Sequence, residues 1–114
     1  CVTAIECPMA EVAVTFQLHP TLHLTTPRAH TPAGWLTFGL HTDLDEAALI
    51  AVAAMVDFLM QSYGFERHHA FGLVSVLVDL RITQLVNEVR GVHALLSHEA
   101  LAELGLSPVT YTTK

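Results

Sequence analysis

The sequence is poor in cysteine and in basic residues. Its 114 residues include only Cys1 and Cys7 as cysteines, too few and too close in sequence to hold a fold together by disulfides. A reducing, cytoplasmic setting is therefore expected. Five basic against eleven acidic residues give a net charge of −6, and the basic residues are scattered along the chain. Because a phosphate backbone needs a positive patch, this charge argues against nucleic acid and anionic membrane as partners.

Long apolar runs, phosphate-binding glycine patterns and internal repeats are also missing. The longest strongly apolar run, residues 47–60, is interrupted by Asp57 and is shorter than the roughly 20 residues of a membrane-spanning helix. No segment fits a dinucleotide-binding or P-loop pattern, and no heptad repeat is present. With 52% apolar residues, the chain is expected to form a single domain, residues 1–114, around one core.

Alternating apolar and polar residues predict strands in the first third of the chain. Residues 11–19 alternate strictly, which is the period-2 pattern of a half-buried strand. A shorter alternation follows at residues 22–24, and residues 35–41 predict another strand. Between them, residues 25–34 contain two prolines and a glycine and predict a loop. The apolar side of the first strand consists of Val12, Val14, Phe16 and Leu18.

Local signals predict one long helix over residues 44–63. Asp43 can act as its N-cap, with Glu46 as the capping-box partner, and Gly64 supplies a C-terminal stop. The helix is expected to bury one face against a sheet. The residues predicted to contribute most to the core are Leu49, Val52, Val56, Leu59 and Met60.

The second half of the chain predicts a helix, two strands and a short final helix. The helix covers residues 66–78, the strands residues 81–86 and 92–96, and the final helix residues 97–104. This order predicts an α+β fold of mainly antiparallel strands with two central helices packed on one face of the sheet.

The eight histidines do not form a recognisable metal motif. His19 and His23 are separated by Pro20, which breaks the strand that would align them. His68 and His69 are neighbours at a helix start and point about 100° apart, which is poor geometry for one ion. These four histidines are therefore expected in loops or on the surface.

Three other groups of residues could take part in chemistry. Asp79 and Arg81, next to Thr83 and Gln84, form a polar cluster that is one candidate site. The preferred interpretation is a buried structural ion pair with the glutamine bonded to backbone. Glu6 lies between apolar Ile5 and the turn at residues 7–8, where a buried carboxylate would have a raised pKa. Cys1 and Glu6 are thus the remaining catalytic candidates, and an edge residue facing water is the structural alternative for Glu6.

Two separated motifs resemble the acetamidase/formamidase family. Residues 1–6, Cys-Val-Thr-Ala-Ile-Glu, resemble the family's Cys-Gly-Thr-Ala-Ile-Glu, which follows a Gly-Asp-Gly-Glu motif. Residues 75–87 resemble its Ser-Val-x-x-Asp-Leu-Arg-x-x-Gln-Val-Val. Together with the long helix between them, the resemblance covers nearly the whole chain and identifies it as the C-terminal portion of such a protein. Val2 departs from the family's glycine, which leaves the substrate size open.

The resemblance implies an amide hydrolase that releases ammonia from small linear amides through a metal-activated water. It implies a divalent metal, zinc or calcium, whose ligands lie mostly outside this chain, in a missing N-terminal part. Glu6 would stand in the active-site wall and orient or deprotonate the attacking water, with Asp79, Arg81 and Gln84 as scaffold behind it. The implied partners are the N-terminal portion of the same protein, a small amide substrate and further copies in a homo-oligomer.

Two alternatives remain open from the sequence. The chain begins at Cys1 either by truncation or because a longer precursor is cut there, and a cut would give an N-terminal cysteine nucleophile whose own amine acts as base. The second alternative is a non-catalytic oligomerisation or ligand-binding module.

Overall fold

The computed structural model describes residues 10–109 as a four-stranded antiparallel sheet and three helices. In chain order the elements are β1 Arg28–Thr31, β2 Gly34–His41, α1 Leu44–Tyr63, α2 Arg67–Leu77, β3 Val78–Gln84, β4 Arg90–Ser97 and α3 His98–Glu103. The strands are ordered β1-β2-β4-β3 in the sheet, and α1 packs across β2 and β4. The predicted α+β class is thereby confirmed.

Helix α1 begins and ends where its capping residues predict. The Asp43 carboxylate accepts hydrogen bonds from the backbone N–H groups of Asp45, at 2.8 Å, and Glu46, at 3.1 Å. The N–H groups of Glu46 and then Asp45 hold the pKa of the Asp43 carboxyl below its usual value, because they stabilise the charged form. At the other end Gly64 adopts a left-handed conformation, φ 72°, and its N–H bonds the carbonyl of Met60.

Small residues bring α1 into close contact with the sheet. Gly39 of β2 lies directly beneath the backbone of Ala47 and Ala51. In the same strand, the buried Thr37 hydroxyl donates a 2.8 Å hydrogen bond to the carbonyl of Ala51. This hydrogen bond joins a side chain of β2 to the backbone of α1, so it fixes the position of the helix on the sheet.

The core face of α1 differs in part from the predicted one. Val56 and Leu59 are buried as expected, whereas Leu49 is 62% exposed. Leu49 follows the buried Ala47 by two positions, which turns its side chain about 200° around the helix axis and into solvent. The buried residues of α1 are Ala47, Ala51, Met55, Val56, Phe58 and Leu59.

Leu59→Ala should therefore lower the unfolding free energy much more than Leu49→Ala does. Leu59 is 1% exposed, so its truncation leaves a cavity and should cost about 2–4 kcal/mol of unfolding free energy. Leu49→Ala removes mostly hydrated surface and should cost less than about 0.5 kcal/mol. Urea unfolding of both variants measures the difference, and equal losses would contradict the observed orientation of α1.

The second half of the chain follows its predicted order. Helix α2 has Glu66 at its N-cap without a side-chain capping bond, and α3 is capped by Ser97, whose hydroxyl accepts from the N–H of Ala100 at 3.1 Å. Strand β3 starts at Val78, earlier than predicted, directly after α2. Asn87, at φ 75°, lies in the connection to β4.

Two expectations for the first third of the chain are wrong. Residues 11–19 and 22–24 are not strands, because no described strand pairs with them and their alternating pattern has no sheet to join. The predicted loop at residues 25–34 contains β1, which pairs with β2 from Arg28↔Thr37 to Thr31↔Gly34. Prolines precede and follow this strand but do not lie within it, so its four residues keep the backbone N–H groups that pairing with β2 requires.

Among the described residues, no single helix is long and apolar enough to cross a membrane. Helices α1 and α2 would meet the length and composition requirement only together, and the chain bends by 119° between them.

Candidate functional site

The two catalytic candidates from the sequence, Cys1 and Glu6, lie outside the described residues 10–109. Their roles remain predictions. Asp79, Arg81 and Gln84, which the resemblance assigns to the scaffold, all lie in β3 at one edge of the sheet.

Residues 10–109 do not by themselves fit a metal ion. No group of three or more histidine, cysteine, aspartate or glutamate side chains comes together within this range. The rings of His68 and His69 lie 3.9 Å apart, and both residues are exposed at the start of α2, which agrees with the expected surface position.

A polar cleft lies between the segment that leads into β1 and one side of α1. An inner cavity of about 50 Å³ adjoins a wider and more open space of about 450 Å³. His23, Arg28 and Gln61 line both spaces. Thr25, Thr26, Thr37 and Asp57 are the other polar residues of the inner cavity.

Arg28 gives this cleft its chemical character. Its guanidinium carbon lies 4.6 Å from the centre of the Phe58 ring, so the cation rests on the edge of the core. A guanidinium presents several donors in one plane, and the amide of Gln61 both donates and accepts. The inner cavity has room for a few waters or one small polar molecule, such as a short amide or carboxylate. Neither Arg28 nor Gln61 stood out in the sequence as a site residue.

The face of the sheet turned away from α1 carries a threonine–histidine pair that the sequence did not reveal. Thr83 Oγ1 and His93 Nδ1 are 2.8 Å apart, between β3 and β4. The imidazole of His93 also lies 6.0 Å from the ring of Phe38, on the neighbouring strand β2. Burial and then the positive charge of Arg81 lower the pKa of His93 below its usual value of 6.5.

The lowered pKa of His93 predicts a loss of stability in mild acid. Folding favours the neutral ring, so the unfolded chain binds the proton more readily than the folded one. The contribution of neutral His93 to the unfolding free energy is complete above pH 6.5. It is lost as the pH falls through the pKa of His93 in the folded chain. Urea unfolding at about pH 7.5 and about pH 5.5 should show a larger acid loss for the wild type than for His93→Gln. His68→Gln, on the exposed surface of α2, should follow the wild type, and an identical pH dependence in His93→Gln would refute this reasoning.

Asp79 and Arg81 are not buried, which corrects the expectation for this pair. The side chains of Asp79 and Arg81 form a 3.3 Å ion pair, and they are 71% and 58% exposed. They reach solvent because β3 is an edge strand of the sheet. Gln84 does bond backbone as expected, donating to the carbonyl of Val89 at 2.7 Å.

Breaking this exposed pair should have little effect on folding. Because water screens both charges, Asp79→Asn is expected to change the unfolding free energy by less than about 1 kcal/mol. A loss of about 3 kcal/mol or more in a urea titration would restore the buried-pair interpretation.

Comparison with known proteins gives a structural match. Searches against family models and against curated protein sequences find no match. A crystal structure of an acetamidase from Bacillus halodurans matches with a TM-score of 0.64 and 26% identity, over 73% of this chain and 28% of that one. A crystal structure of a predicted acetamidase/formamidase from the thermophile Thermoanaerobacter tengcongensis matches with a TM-score of 0.67 and 22% identity, over 78% of this chain and 30% of that one.

The chain thus spans less than a third of the length of each of these two solved structures. The match extends over about three quarters of the present chain and includes a protein named as an acetamidase. The resemblance to the acetamidase/formamidase family is therefore confirmed by the structural match, and the chain has the α+β fold of one part of the acetamidase/formamidase proteins.

Proposed function

We propose that this chain is the C-terminal part of an amide hydrolase that releases ammonia from small linear amides. The observation that carries the proposal is the structural match to the Bacillus halodurans acetamidase. Two sequence motifs point in the same direction, since residues 1–6 and 75–87 resemble separate segments of the same family. The match covers 28% of that acetamidase, so the proposed enzyme needs a further portion to complete its active site.

The proposed reaction is hydrolysis of a carboxamide. A water oxygen forms a bond to the carbonyl carbon, the carbon–nitrogen bond breaks, and the products are a carboxylic acid and ammonia. Glu6 is proposed as the general base that takes the proton from the attacking water and returns it to the departing nitrogen. The proposal includes a divalent metal, zinc or calcium, whose ligands would lie mostly outside this chain.

The partners follow from the same proposal. The N-terminal portion of the protein would supply the missing part of the active site, and a short amide would be the substrate. A homo-oligomer and a cytoplasmic location remain predictions.

Ammonia release provides the test. The chain alone should produce no ammonia from formamide or acetamide above background, whereas co-expression with the polypeptide encoded upstream of Cys1 should restore release. Benzamide is a useful comparison, because a site built for short amides should reject the ring. Full activity of the isolated chain would contradict the division of the site, and no activity in the reassembled protein would contradict the hydrolase assignment.

A ligand-binding module is the second candidate, and the cleft at Arg28 is the observation that favours it. The inner cavity of about 50 Å³ is lined mainly by polar side chains and can accept a small amide or carboxylate. Calorimetric titration of the isolated chain with acetamide and with acetate tests this role. Binding that is lost in Arg28→Gln, without amide hydrolysis in the reassembled protein, would favour the module over the enzyme.

A further inference from the structure

Residues 11–19 leave a stripe of large apolar side chains in water. Val12 and Val14 are 64% and 63% exposed, Phe16 is 91% exposed and Leu18 is 86% exposed. The polar residues between them are exposed as well, so the segment contacts little of the domain on either side. Scattered apolar residues are common on protein surfaces, but four in strict alternation form one continuous side of an extended segment.

The alternation has a specific structural meaning. In an extended chain, residues at every second position point to the same side, so this segment would present one apolar side and one polar side. Such a segment becomes stable as a strand only when a sheet supplies backbone partners and an apolar layer covers its side chains. Neither is present, because the described sheet ends at β1 and β3 and does not include residues 11–19.

The comparison with solved structures indicates what is missing. More than two thirds of the Bacillus halodurans acetamidase lies outside the match with this chain. The segment itself carries a single charged residue, Glu11, at one end, which suits burial in a sheet better than exposure.

We propose that residues 11–19 form a strand that is added to a β-sheet of the N-terminal portion, with Val12, Val14, Phe16 and Leu18 covered by that portion. This proposal rests on the proposed function, since it names the surface through which the two portions join.

Paired substitutions on the two sides of the segment test the proposal. The chain is co-expressed with the polypeptide encoded upstream of Cys1, and one portion carries an affinity tag. Phe16→Asp places a charge in the proposed apolar interface and should weaken association at least 100-fold. The matched control, Gln17→Asp, adds the same charge to the neighbouring polar side and should associate within about threefold of the wild type. Thermal melting of the isolated chains should be alike, because both side chains are exposed in this domain.

Hydrogen exchange distinguishes a strand from a loose apolar contact. In the complex, amides of residues 12–18 should become protected at alternate positions, as in an edge strand, whereas in the isolated chain they should exchange rapidly. Two results would refute the strand but not the two-part enzyme. In one, the wild-type portions associate and Phe16→Asp and Gln17→Asp weaken that association equally. In the other, the portions associate and the amides of residues 12–18 stay unprotected. Absence of any association in the wild type would overturn both. Self-association of the isolated chain that persists when the upstream polypeptide is present would assign the stripe to a second copy and also refute the proposal.

Discussion

Gly39→Ala is expected to remove most of the stability of this domain. A Cβ atom at Gly39 would lie 1.8 Å from the carbonyl oxygen of Ala47 and 2.7 Å from the backbone nitrogen of Ala51. Both neighbours belong to the backbone of α1, so no side-chain rotation can make room. The helix would have to lift away from β2, which would also stretch the 2.8 Å bond from Thr37 to Ala51. We expect a loss above about 4 kcal/mol, at the exceptional end of single-substitution effects.

Gly72→Ala provides the matched control for this prediction. Gly72 lies inside α2, and an added Cβ would meet nothing within 4 Å. Alanine is the better helix former, so this substitution should stabilise the domain by about 0.5–1 kcal/mol. Urea unfolding followed by circular dichroism measures both variants, with soluble yield as the readout if Gly39→Ala does not fold. A Gly39→Ala domain within about 1 kcal/mol of the wild type would show that α1 does not contact β2 as closely as described.

The long helix was predictable because its signals are local. Asp43 and Gly64 determine the ends of α1 through hydrogen bonds to residues at most four positions away. The choice of buried face was less predictable, because it depends on what the sheet presents. At Gly39 the sheet offers no side chain, so the closest contacts of α1 involve alanines, while the larger Leu49 faces solvent.

The errors in the first third of the chain have a non-local cause. Residues 11–19 have the alternating pattern of a strand, but a strand forms only against a partner strand, and the described sheet offers none to them. Conversely, β1 has only four residues and follows Pro27, yet the edge of β2 provides its hydrogen bonds. The exposure of Asp79 and Arg81 has the same origin, since it depends on β3 being the last strand of the sheet.

The residues of the candidate site were likewise predictable only in part. The cleft combines His23 and Arg28 with Asp57 and Gln61, which are far away in the sequence and meet only because the segment before β1 runs along α1. No local pattern could have grouped them. Glu6 and Cys1, by contrast, depend entirely on a local motif and a family resemblance, and they require an experiment on turnover.

Glu6→Gln should abolish most of the amide hydrolysis of the reassembled protein. Glutamine keeps the size and hydrogen bonding of the side chain but cannot accept the proton of the attacking water. The expected loss in turnover is about 10²–10⁴-fold, the usual contribution of a general base. Binding of the upstream portion and the melting temperature should be unchanged, because the substitution preserves shape. Steady-state ammonia release with acetamide, together with the affinity between the portions, separates a catalytic defect from a structural one.

Cys1→Ser is the matched substitution for the competing mechanism. If Cys1 were an N-terminal nucleophile, its thiolate would attack the amide carbonyl, ammonia would leave, and an acyl thioester would remain for water to hydrolyse. Cys1→Ser should then reduce turnover severely, and mass spectrometry of the wild type with acetamide should detect an acetyl adduct on Cys1. With Glu6 as base, Cys1→Ser should retain turnover within about tenfold and no adduct should form, because water attacks directly. Near-wild-type turnover of Glu6→Gln would remove Glu6 from the mechanism whatever Cys1 does.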